Sequence, residues 1–269
     1  MSAQPSGHQD EEPHRARQVA ESFGLDAGRY DRARPRYPDA MVQAIVAASP
    51  GPSVLDVGCG TGIAARQFQA AGCRVLGVDP DARMADLARQ FGVEAEVAKF
   101  EDWDPAGREF DTVIAGQAWH WVDMVAGAAK AVRVLRPGGR LAVFWNAFRP
   151  PADVDDALAE VYQRVLPDRP FRFSTMAGPD AYSAACTKAA DGMRHAGGFG
   201  DSEEWRFDWE QPYTRDEWLE VFPTFGGYSQ LPPAKQQELL AGTSAAINAV
   251  GGSFTMGYTA IAATAARPR

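Results

Sequence analysis

Cysteine is scarce in this sequence, and long apolar runs are missing from it. The three cysteines of the 269-residue chain, Cys59, Cys73 and Cys186, are too few and too scattered for a disulfide scaffold or a zinc site. No stretch reaches the ~20 apolar residues that cross a bilayer, and no apolar signal segment follows the first methionine. We therefore expect a cytoplasmic protein with reduced thiols, no bound metal and no membrane association.

Positive charge is also in deficit. The 27 lysines and arginines are outnumbered by 35 aspartates and glutamates, which gives a formal net charge of −8. Proteins that bind nucleic acid usually have a basic surface, because neutralising phosphates supplies most of their affinity. Arg32, Arg34 and Arg36 form a local exception, but Pro35 and Tyr37 interrupt it. The balance argues against a nucleic-acid partner and favours a small molecule, bound by a monomer or a homodimer.

The remaining composition is that of an ordinary globular protein, with 45% hydrophobic and 23% charged residues. Residues 1–15 are polar and show no periodicity, which predicts a disordered tail. We predict a cofactor-binding core with N-terminal cap helices over residues 16–150. Residues 151–269 are then expected to supply lid helices and the last strands of the sheet.

Apolar strands and amphipathic helices alternate through the first half of the chain. Helices are predicted over 16–30, 39–48, 63–71, 82–91 and 122–135, and strands over 53–57, 74–79, 93–98, 110–115 and 140–145. Such alternation is typical of βαβ units with right-handed crossovers. The fold class is therefore α/β, a doubly wound, mostly parallel seven-stranded Rossmann-like sheet.

The pattern is looser in the second half. Helices are predicted over 152–165 and 191–196, from Thr214 as N-cap with Glu217 three positions on, and over 233–249. Alternating aromatic residues predict a strand over 203–210, and a last strand is expected over 253–263. The helical segments within 152–200 and 214–249 are predicted to form a lid over the carboxyl edge of the sheet.

A glycine-rich turn follows the first predicted strand. Ligands of open α/β sheets bind at the carboxyl ends of the strands, and glycine lets the backbone approach a ligand closely. The turn departs from the dinucleotide fingerprint, because Gly62 comes one position early and Ile63 replaces the third glycine. Asp56, two residues before Gly58, would repel a pyrophosphate but suits a cationic ligand.

A second carboxylate, Asp79, ends the second predicted strand. It lies roughly 20 residues after the glycine turn, the separation at which an acidic side chain binds ribose hydroxyls. Dinucleotide enzymes share this feature, so Asp79 indicates a nucleoside without saying which. The alternative is that Asp79 caps the helix that follows Pro80.

The segments 54–62, 79–84, 110–113 and 135–141 together resemble the ordered motifs of class I S-adenosylmethionine-dependent methyltransferases. The resemblance covers residues 23–146. It implies S-adenosylmethionine as the cofactor and small-molecule methylation as the activity, at oxygen or a carboxylate. An NAD(P)-dependent oxidoreductase and a non-catalytic cofactor-binding protein are the alternatives.

The resemblance also implies roles for individual residues. Gly58 and Gly60 would contact the aminoacyl end of the cofactor, and Asp79 the ribose. Where many relatives have an aspartate that binds adenine, this sequence has Lys99. The expected cofactor-binding residues are Tyr30, Arg34, Asp56, Gly58, Gly60, Asp79, Pro80, Met84, Phe100, Glu101 and Gln117.

The segment around Tyr30, Arg34 and Tyr37 resembles the N-terminal cap of the subgroup that includes trans-aconitate methyltransferases. Arg34 could pair with the methionine carboxylate of the cofactor. The alternative is a surface arginine fixed beside Pro35.

The methyl acceptor is expected beside the segment 117–121, which follows the fourth strand. Trp119 and Trp121 would form an apolar wall for the acceptor, with His120 as general base. The alternative for His120 is a packed structural residue, and an acceptor that is already an anion would need no base.

Two further groups in the second half have open roles. The arginines could recognise an anionic substrate or be solvated surface charges: Arg149, Arg169, Arg172 and Arg194. The aromatic residues could line a pocket or pack a strand against its helix: Trp205, Phe207, Trp209, Tyr213, Trp218, Phe222 and Phe225.

Overall fold

The computed structural model describes residues 23–168, 171–225 and 227–269. The predicted tail, the start of the predicted helix 16–30 and Arg169 lie outside these residues. The strands in the described part are β1 Ser53–Val57, β2 Arg74–Asp79, β3 Glu94–Val97, β4 Phe110–Gly116, β5 Leu135–Arg149, β6 Glu203–Thr214 and β7 Ser253–Ala266.

These strands form one seven-stranded sheet in the order β3-β2-β1-β4-β5-β7-β6. The strands β1 to β5 pair in parallel, whereas β7 runs antiparallel to both β5 and β6. Residues 54–57 are buried on both faces of the sheet, which explains why β1 reads as a continuous apolar run. The prediction of a doubly wound, mostly parallel sheet is confirmed.

Ten helices of the described part cover the sheet or its edge. They are α1 Ala27–Ala33, α2 Asp39–Ala47, α3 Ile63–Ala70, α4 Ala82–Gln90, α5 Met124–Val134, α6 Ala152–Val165, α7 Phe173–Met176, α8 Pro179–Ala196, α9 Arg215–Val221 and α10 Pro233–Ala249. None of the helices in the described residues is long and apolar enough to cross a membrane. The helices α2, α3 and α4 pack on one face of the sheet, and α5 and α8 on the other.

Helix α8 is longer than predicted from the sequence, and it packs against the sheet and not in the predicted lid. It begins at Pro179, whereas only residues 191–196 were predicted to be helical. It packs against α5, β5 and β7 and buries Cys186, Ala189 and Met193 in the core. The prediction that this segment belongs to a lid is wrong, because its apolar face covers the sheet itself.

The other late helices form a separate apolar cluster at the carboxyl end of β5. Helices α6, α7, α9 and α10 pack around Trp218 and Phe173, both almost fully buried, and around Phe148 at the end of β5. A capping box between Thr214 and Glu217 begins α9, as predicted. We call this cluster, α6, α7, α9, α10 and residues 222–225, the lid.

The last strands extend beyond their predicted limits. Strand β5 pairs with β7 from Arg140 opposite Ala266 to Arg149 opposite Gly257, and β6 pairs with β7 as far as Thr214 opposite Ser253. The long antiparallel ladder supplies backbone hydrogen bonds where the local apolar pattern has ended. The β5–β7 pairing brings together residues more than 100 positions apart, so the local sequence pattern could not set the length of these strands.

Candidate functional site

Two adjoining cavities lie at the carboxyl ends of β1, β2, β4 and β5. We call the first the cap cavity; it is lined by residues of the α1 cap, by Asp56 and by Asn146. We call the second the β2 cavity; it is lined by Asp79, Met84 and Phe100, among others. The residues shared by both cavities are Tyr30, Gly58, Gly60, Gly116 and Gln117.

The glycine turn shapes the floor of both cavities. Gly58, Gly60 and Gly62 have φ angles of 68°, 55° and 82°, a left-handed conformation that favours glycine. A Cβ atom on Gly58 would lie 2.4 Å from the Cβ of Ala118, so a side chain does not fit there. The turn therefore presents bare backbone to the cavities and leads directly into α3.

Asp56 carries a buried carboxylate whose oxygens are unsatisfied in the described residues. It is 1% exposed, and neither oxygen has a hydrogen-bond partner of ordinary geometry in the described protein. Desolvation, reinforced by the charge of Asp79, raises its pKa to about 8, although the nearby amide of Ala65 favours the charged form. A buried carboxylate of this kind is stabilised by a cation or by hydrogen-bond donors.

Asp79 lies in the β2 cavity and joins the end of β2 to the glycine turn. Its carboxylate accepts hydrogen bonds from the amides of Gly60 at 2.8 Å and Asp81 at 2.9 Å. Desolvation raises its pKa to about 6, while these two bonds oppose the shift. The N-cap of α4 is Asp81 and not Asp79, so the structure does not support the helix-cap alternative.

Arg34 connects the cap to the lid. Its guanidinium lies 5.1 Å from the ring centre of Tyr30 and 4.9 Å from that of Phe225, and Nη2 donates a 2.7 Å hydrogen bond to the carbonyl of Thr224. The buried Nε has no protein partner and belongs to a residue that lines the cap cavity. Arg34 is therefore not the solvated surface arginine of the alternative interpretation.

Gln117 lies where the two cavities meet and has a strained backbone. Its φ of 55° is uncommon for a residue with a side chain. The amide of Gln117 donates to the carbonyl of Phe144 at 2.8 Å, and its side chain donates to the carbonyl of Asn146 at 3.4 Å. Strain of this kind is often found at functional sites, where the surrounding structure maintains it.

Asn146 is a site residue that the sequence reasoning missed. It is 3% exposed in the last third of β5, donates from Nδ2 to the carbonyl of Arg36 at 3.0 Å, and keeps a buried Oδ1 without a partner in the described residues. It lines the cap cavity together with Asp56. A polar residue at the end of an apolar strand was the available signal, the same one that identified Asp56 and Asp79.

The two tryptophans of the 117–121 segment occupy different environments. Trp121 lines the β2 cavity. Trp119 is fully buried in the core, 6.2 Å from Phe100 between ring centres, and the structure does not bring it into either cavity. A wall that both residues share is therefore not formed.

His120 lies beside the site but does not line either cavity. Its Nδ1 accepts a 3.1 Å hydrogen bond from Nε1 of Trp145, so the neutral ring carries its proton on Nε2. Desolvation lowers its pKa to about 4. The role of general base stays a prediction.

The remaining predicted residues of the β2 cavity are brought together. Pro80, Met84, Lys99, Phe100 and Glu101 line it beside Asp79. The segment 99–103 is also bound by Lys130, a buried residue to which the sequence analysis gave no role. Lys130 is 7% exposed; its Nζ donates to the carbonyls of Glu101 at 3.0 Å and of Trp103, and lies 5.7 Å from the ring centre of Phe100.

The arginines considered for substrate recognition lie outside both cavities where the structure describes them. Arg172 pairs with Asp155 and Asp156, and Arg194 pairs with Asp191. Arg149 lies in a shallow groove beside Trp209.

Most of the aromatic residues of the second half pack the lid, which favours the structural interpretation. Tyr213, Trp218, Phe222, Phe225 and Trp209 belong to the lid cluster or pack against it. Trp205 and Phe207 pack against the core on the α2 side of the sheet.

The fold matches that of the class I, S-adenosylmethionine-dependent methyltransferases in three features: the order of the strands, the glycine turn after β1 and the acidic Asp79 at the end of β2. The comparisons agree with this class. Residues 55–143 match the protein family described as "Methyltransferase domain". Residues 55–143 are therefore similar to a methyltransferase domain, a class of domain that binds S-adenosylmethionine.

Similar proteins extend the comparison. An uncharacterised methyltransferase of Mycobacterium tuberculosis is 37% identical over 132 residues, which are 48% of this chain and 54% of that protein. A malonyl-[acyl-carrier protein] O-methyltransferase of Enterobacter lignolyticus is 36% identical over 130 residues, 46% of this chain and 51% of that protein. The chain thus spans about half the length of the curated relatives it matches.

A solved structure matches over most of the chain. It is provisionally described as a type II methyltransferase from Anaeromyxobacter dehalogenans and shares 25% identity with a TM-score of 0.61. The match covers 88% of this chain and 99% of that one. The match therefore extends well beyond the residues 55–143 that match the methyltransferase domain.

Proposed function

We propose that the protein is an S-adenosylmethionine-dependent methyltransferase that methylates a small molecule at oxygen or at a carboxylate. The observation that carries this proposal is the set of unpartnered buried polar atoms around the cap cavity. They are both carboxylate oxygens of Asp56, Oδ1 of Asn146 and Nε of Arg34. Three are acceptors and one is a cationic donor.

This set is complementary to an α-amino acid group. An ammonium group would satisfy the acceptor oxygens of Asp56 and Asn146, and a carboxylate would accept from Arg34. The methionyl end of S-adenosylmethionine carries both groups. A neutral or purely anionic ligand would leave the Asp56 carboxylate buried without a partner, at a cost in free energy.

The β2 cavity suits the nucleoside end of the same ligand. Asp79 has a carboxylate at the end of β2, where ribose hydroxyls can donate to it. Met84, Phe100 and Trp121 provide apolar surface for a planar base. Gly58 and Gly60 belong to both cavities, so one extended ligand can pass over the glycine turn.

When bound, S-adenosylmethionine supplies a methyl group on a sulfonium, which is transferred by in-line displacement. The residues of this chain then have to align the acceptor and exclude water. The lone pair on Nδ1 of His120 already accepts the hydrogen bond from Trp145, so it is not free to take a proton from the methyl acceptor. This arrangement favours an acceptor oxygen that is already ionised. The E. lignolyticus relative is named as an O-methyltransferase, which supports the choice of an oxygen acceptor.

The alternative class is a nicotinamide-dependent oxidoreductase. A nucleoside would fit the β2 cavity in either class, but the buried Asp56 would face the pyrophosphate of a dinucleotide and repel it. The other alternative is a non-catalytic protein, which would bind the cofactor but transfer no methyl group.

Calorimetric titration with S-adenosylhomocysteine, NAD and NADP tests the class. We expect micromolar binding of S-adenosylhomocysteine and no binding of either dinucleotide. Dinucleotide binding alone would overturn the proposal. Transfer of label from S-adenosylmethionine to a panel of carboxylic acids and phenols then tests the acceptor; binding without transfer to any compound would favour the non-catalytic alternative.

A further inference from the structure

Asp31 is a buried acid of the cap that the proposed function has not used. It lies on α1 between Tyr30 and Arg34, two residues that line the cap cavity, yet it is itself 5% exposed and outside the cavity. Its Oδ1 accepts a 2.8 Å hydrogen bond from Oγ1 of Thr61 and a 2.6 Å bond from Nη2 of Arg66.

Both partners of Asp31 belong to the cofactor-binding core. Thr61 is part of the glycine turn and is 1% exposed, and Arg66 lies on α3, which follows the turn. Arg36 adds a longer ion pair, with its Nη2 3.8 Å from Oδ2 of Asp31. The carboxylate thus joins the cap to the turn through charge-assisted contacts, of which those with Thr61 and Arg66 are largely shielded from water.

Helix α1 depends on such contacts for its position. It has seven residues, and helices this short are not stable alone in water. Asp31 fixes it to the glycine turn, and the bond from Arg34 to the carbonyl of Thr224 fixes its end to the lid. With these two attachments, Tyr30 and the unpartnered Nε of Arg34 are presented to the cap cavity in one orientation.

We propose that Asp31 is a positioning residue that orients the cap against the glycine turn and so determines affinity for the amino-acid end of the cofactor. This inference rests on the proposed function, because it assumes that the cap cavity holds that end. Asp31 acts through Arg34, which lines the cap cavity and not the β2 cavity, and Asp31 itself lines neither cavity. The nucleoside end, in the β2 cavity, has no contact with the Asp31 cluster.

The test compares two ligands that share a nucleoside. S-adenosylhomocysteine carries the amino-acid end, whereas 5′-methylthioadenosine lacks it. Calorimetry is done on the full chain for wild type, Asp31→Asn, Thr61→Val and a control, Asp155→Asn. Asp155 is a comparable buried acid in the lid, bonded to Ser174 and Arg172, and far in sequence from the glycine turn.

We expect Asp31→Asn to weaken S-adenosylhomocysteine binding at least tenfold, about 1.4 kcal/mol, and 5′-methylthioadenosine binding less than about twofold. Thr61→Val removes the hydroxyl at similar volume and should shift the ratio of the two affinities in the same direction. Asp155→Asn should lower the melting temperature and leave that ratio unchanged.

Equal losses for both ligands in Asp31→Asn and Thr61→Val would overturn the proposal, because a purely structural role changes both ends of the site together. If Asp31→Asn does not fold, Arg66→Met removes the charged partner of Asp31 that lies outside both cavities, and its affinity ratio decides instead. Failure of the wild-type protein to bind S-adenosylhomocysteine would refute the proposed function instead, so the two failures are distinguishable.

Discussion

The indole Nε1 of Trp145 donates a 3.1 Å hydrogen bond to Nδ1 of His120. Trp145 is fully buried on β5, so the bond fixes the ring of His120 against the sheet. The bond also fixes the tautomer of the neutral ring, with the proton on Nε2. A neutral histidine in this state has Nε2–H as a donor, whereas the lone pair that a base needs faces Trp145.

We expect the His120 ring to titrate with a pKa of about 4 in the folded protein, because burial disfavours the charged form. The unfolded value is about 6.5, so between these values the unfolded chain binds more protons. His120 therefore makes the folded state more stable as the pH rises from about 4 to about 6.5. NMR titration of the ring signals measures this pKa, and a value near 6.5 would contradict the burial of the ring.

Replacing His120 tests the predicted base directly. His120→Ala should keep S-adenosylhomocysteine affinity within about twofold, because His120 lines neither cavity. Turnover falls if the residue is the base. Full turnover in this variant would refute that role and support an acceptor that is already ionised. His195→Ala, on the solvent side of α8, is the matched control and should change neither quantity.

Replacing the ionisable carboxyl group of Asp56 with an amide should stabilise the unliganded protein and weaken ligand binding. The folded pKa of about 8 lies above the unfolded value, so wild-type stability falls as the pH rises towards 8. Relative to wild type, Asp56→Asn should gain up to ~1.4 kcal/mol of unfolding free energy per pH unit between about 4 and 8.

Urea unfolding of Asp56→Asn at pH 5, 6.5 and 8 measures this trend, and calorimetry with S-adenosylhomocysteine should show at least about tenfold weaker binding. Asp155→Asn is a control, since Asp155 has hydrogen-bond partners and its removal should destabilise the chain. A difference between Asp56→Asn and wild type that does not grow with pH would contradict the raised pKa.

The ribose assignment predicts the effect of replacing Asp79. Asp79→Ala should weaken S-adenosylhomocysteine and 5′-methylthioadenosine binding alike, at least tenfold or about 1.4 kcal/mol, because both ligands carry the ribose. Asp86→Ala, an exposed acid on α4 that pairs with Arg89, is the control. Affinity that is unchanged in Asp79→Ala would refute the assignment.

Lys130 is predicted to stabilise the segment 99–103, which borders the adenine side of the site, through its hydrogen bonds to the backbone. Lys130→Met removes the donor to the carbonyls of Glu101 and Trp103, which should cost about 1–3 kcal/mol of stability. Both ligands should bind more weakly by similar factors, since the segment 99–103 borders the nucleoside end. Lys188→Met, exposed on α8, is the control. Selective loss of S-adenosylhomocysteine binding alone would contradict this placement.

The site was predictable wherever a residue sits at the end of a recognisable strand. Asp56, Gly58 and Asp79 follow from the order of apolar runs and turns, because parallel strands bring their carboxyl ends to one edge. The same rule could have identified Asn146, because this residue directly follows the predicted strand 140–145. Trp119 shows the limit of the rule, since neighbours along a turn alternate between core and cavity.

The sequence by itself determined the α/β class, the alternation of strands and helices in the first half, and the acidic residues at the ends of the first two strands. These depend on periodicity and on spacings of a few residues, which the chain specifies locally. Tertiary structure alone decided which polar atoms are left unpartnered, because Arg34 meets Thr224 across 190 positions and Asn146 meets Arg36 across 110. It also decided the pKa values of Asp56 and His120, because burial is set by the packing of segments distant in the chain.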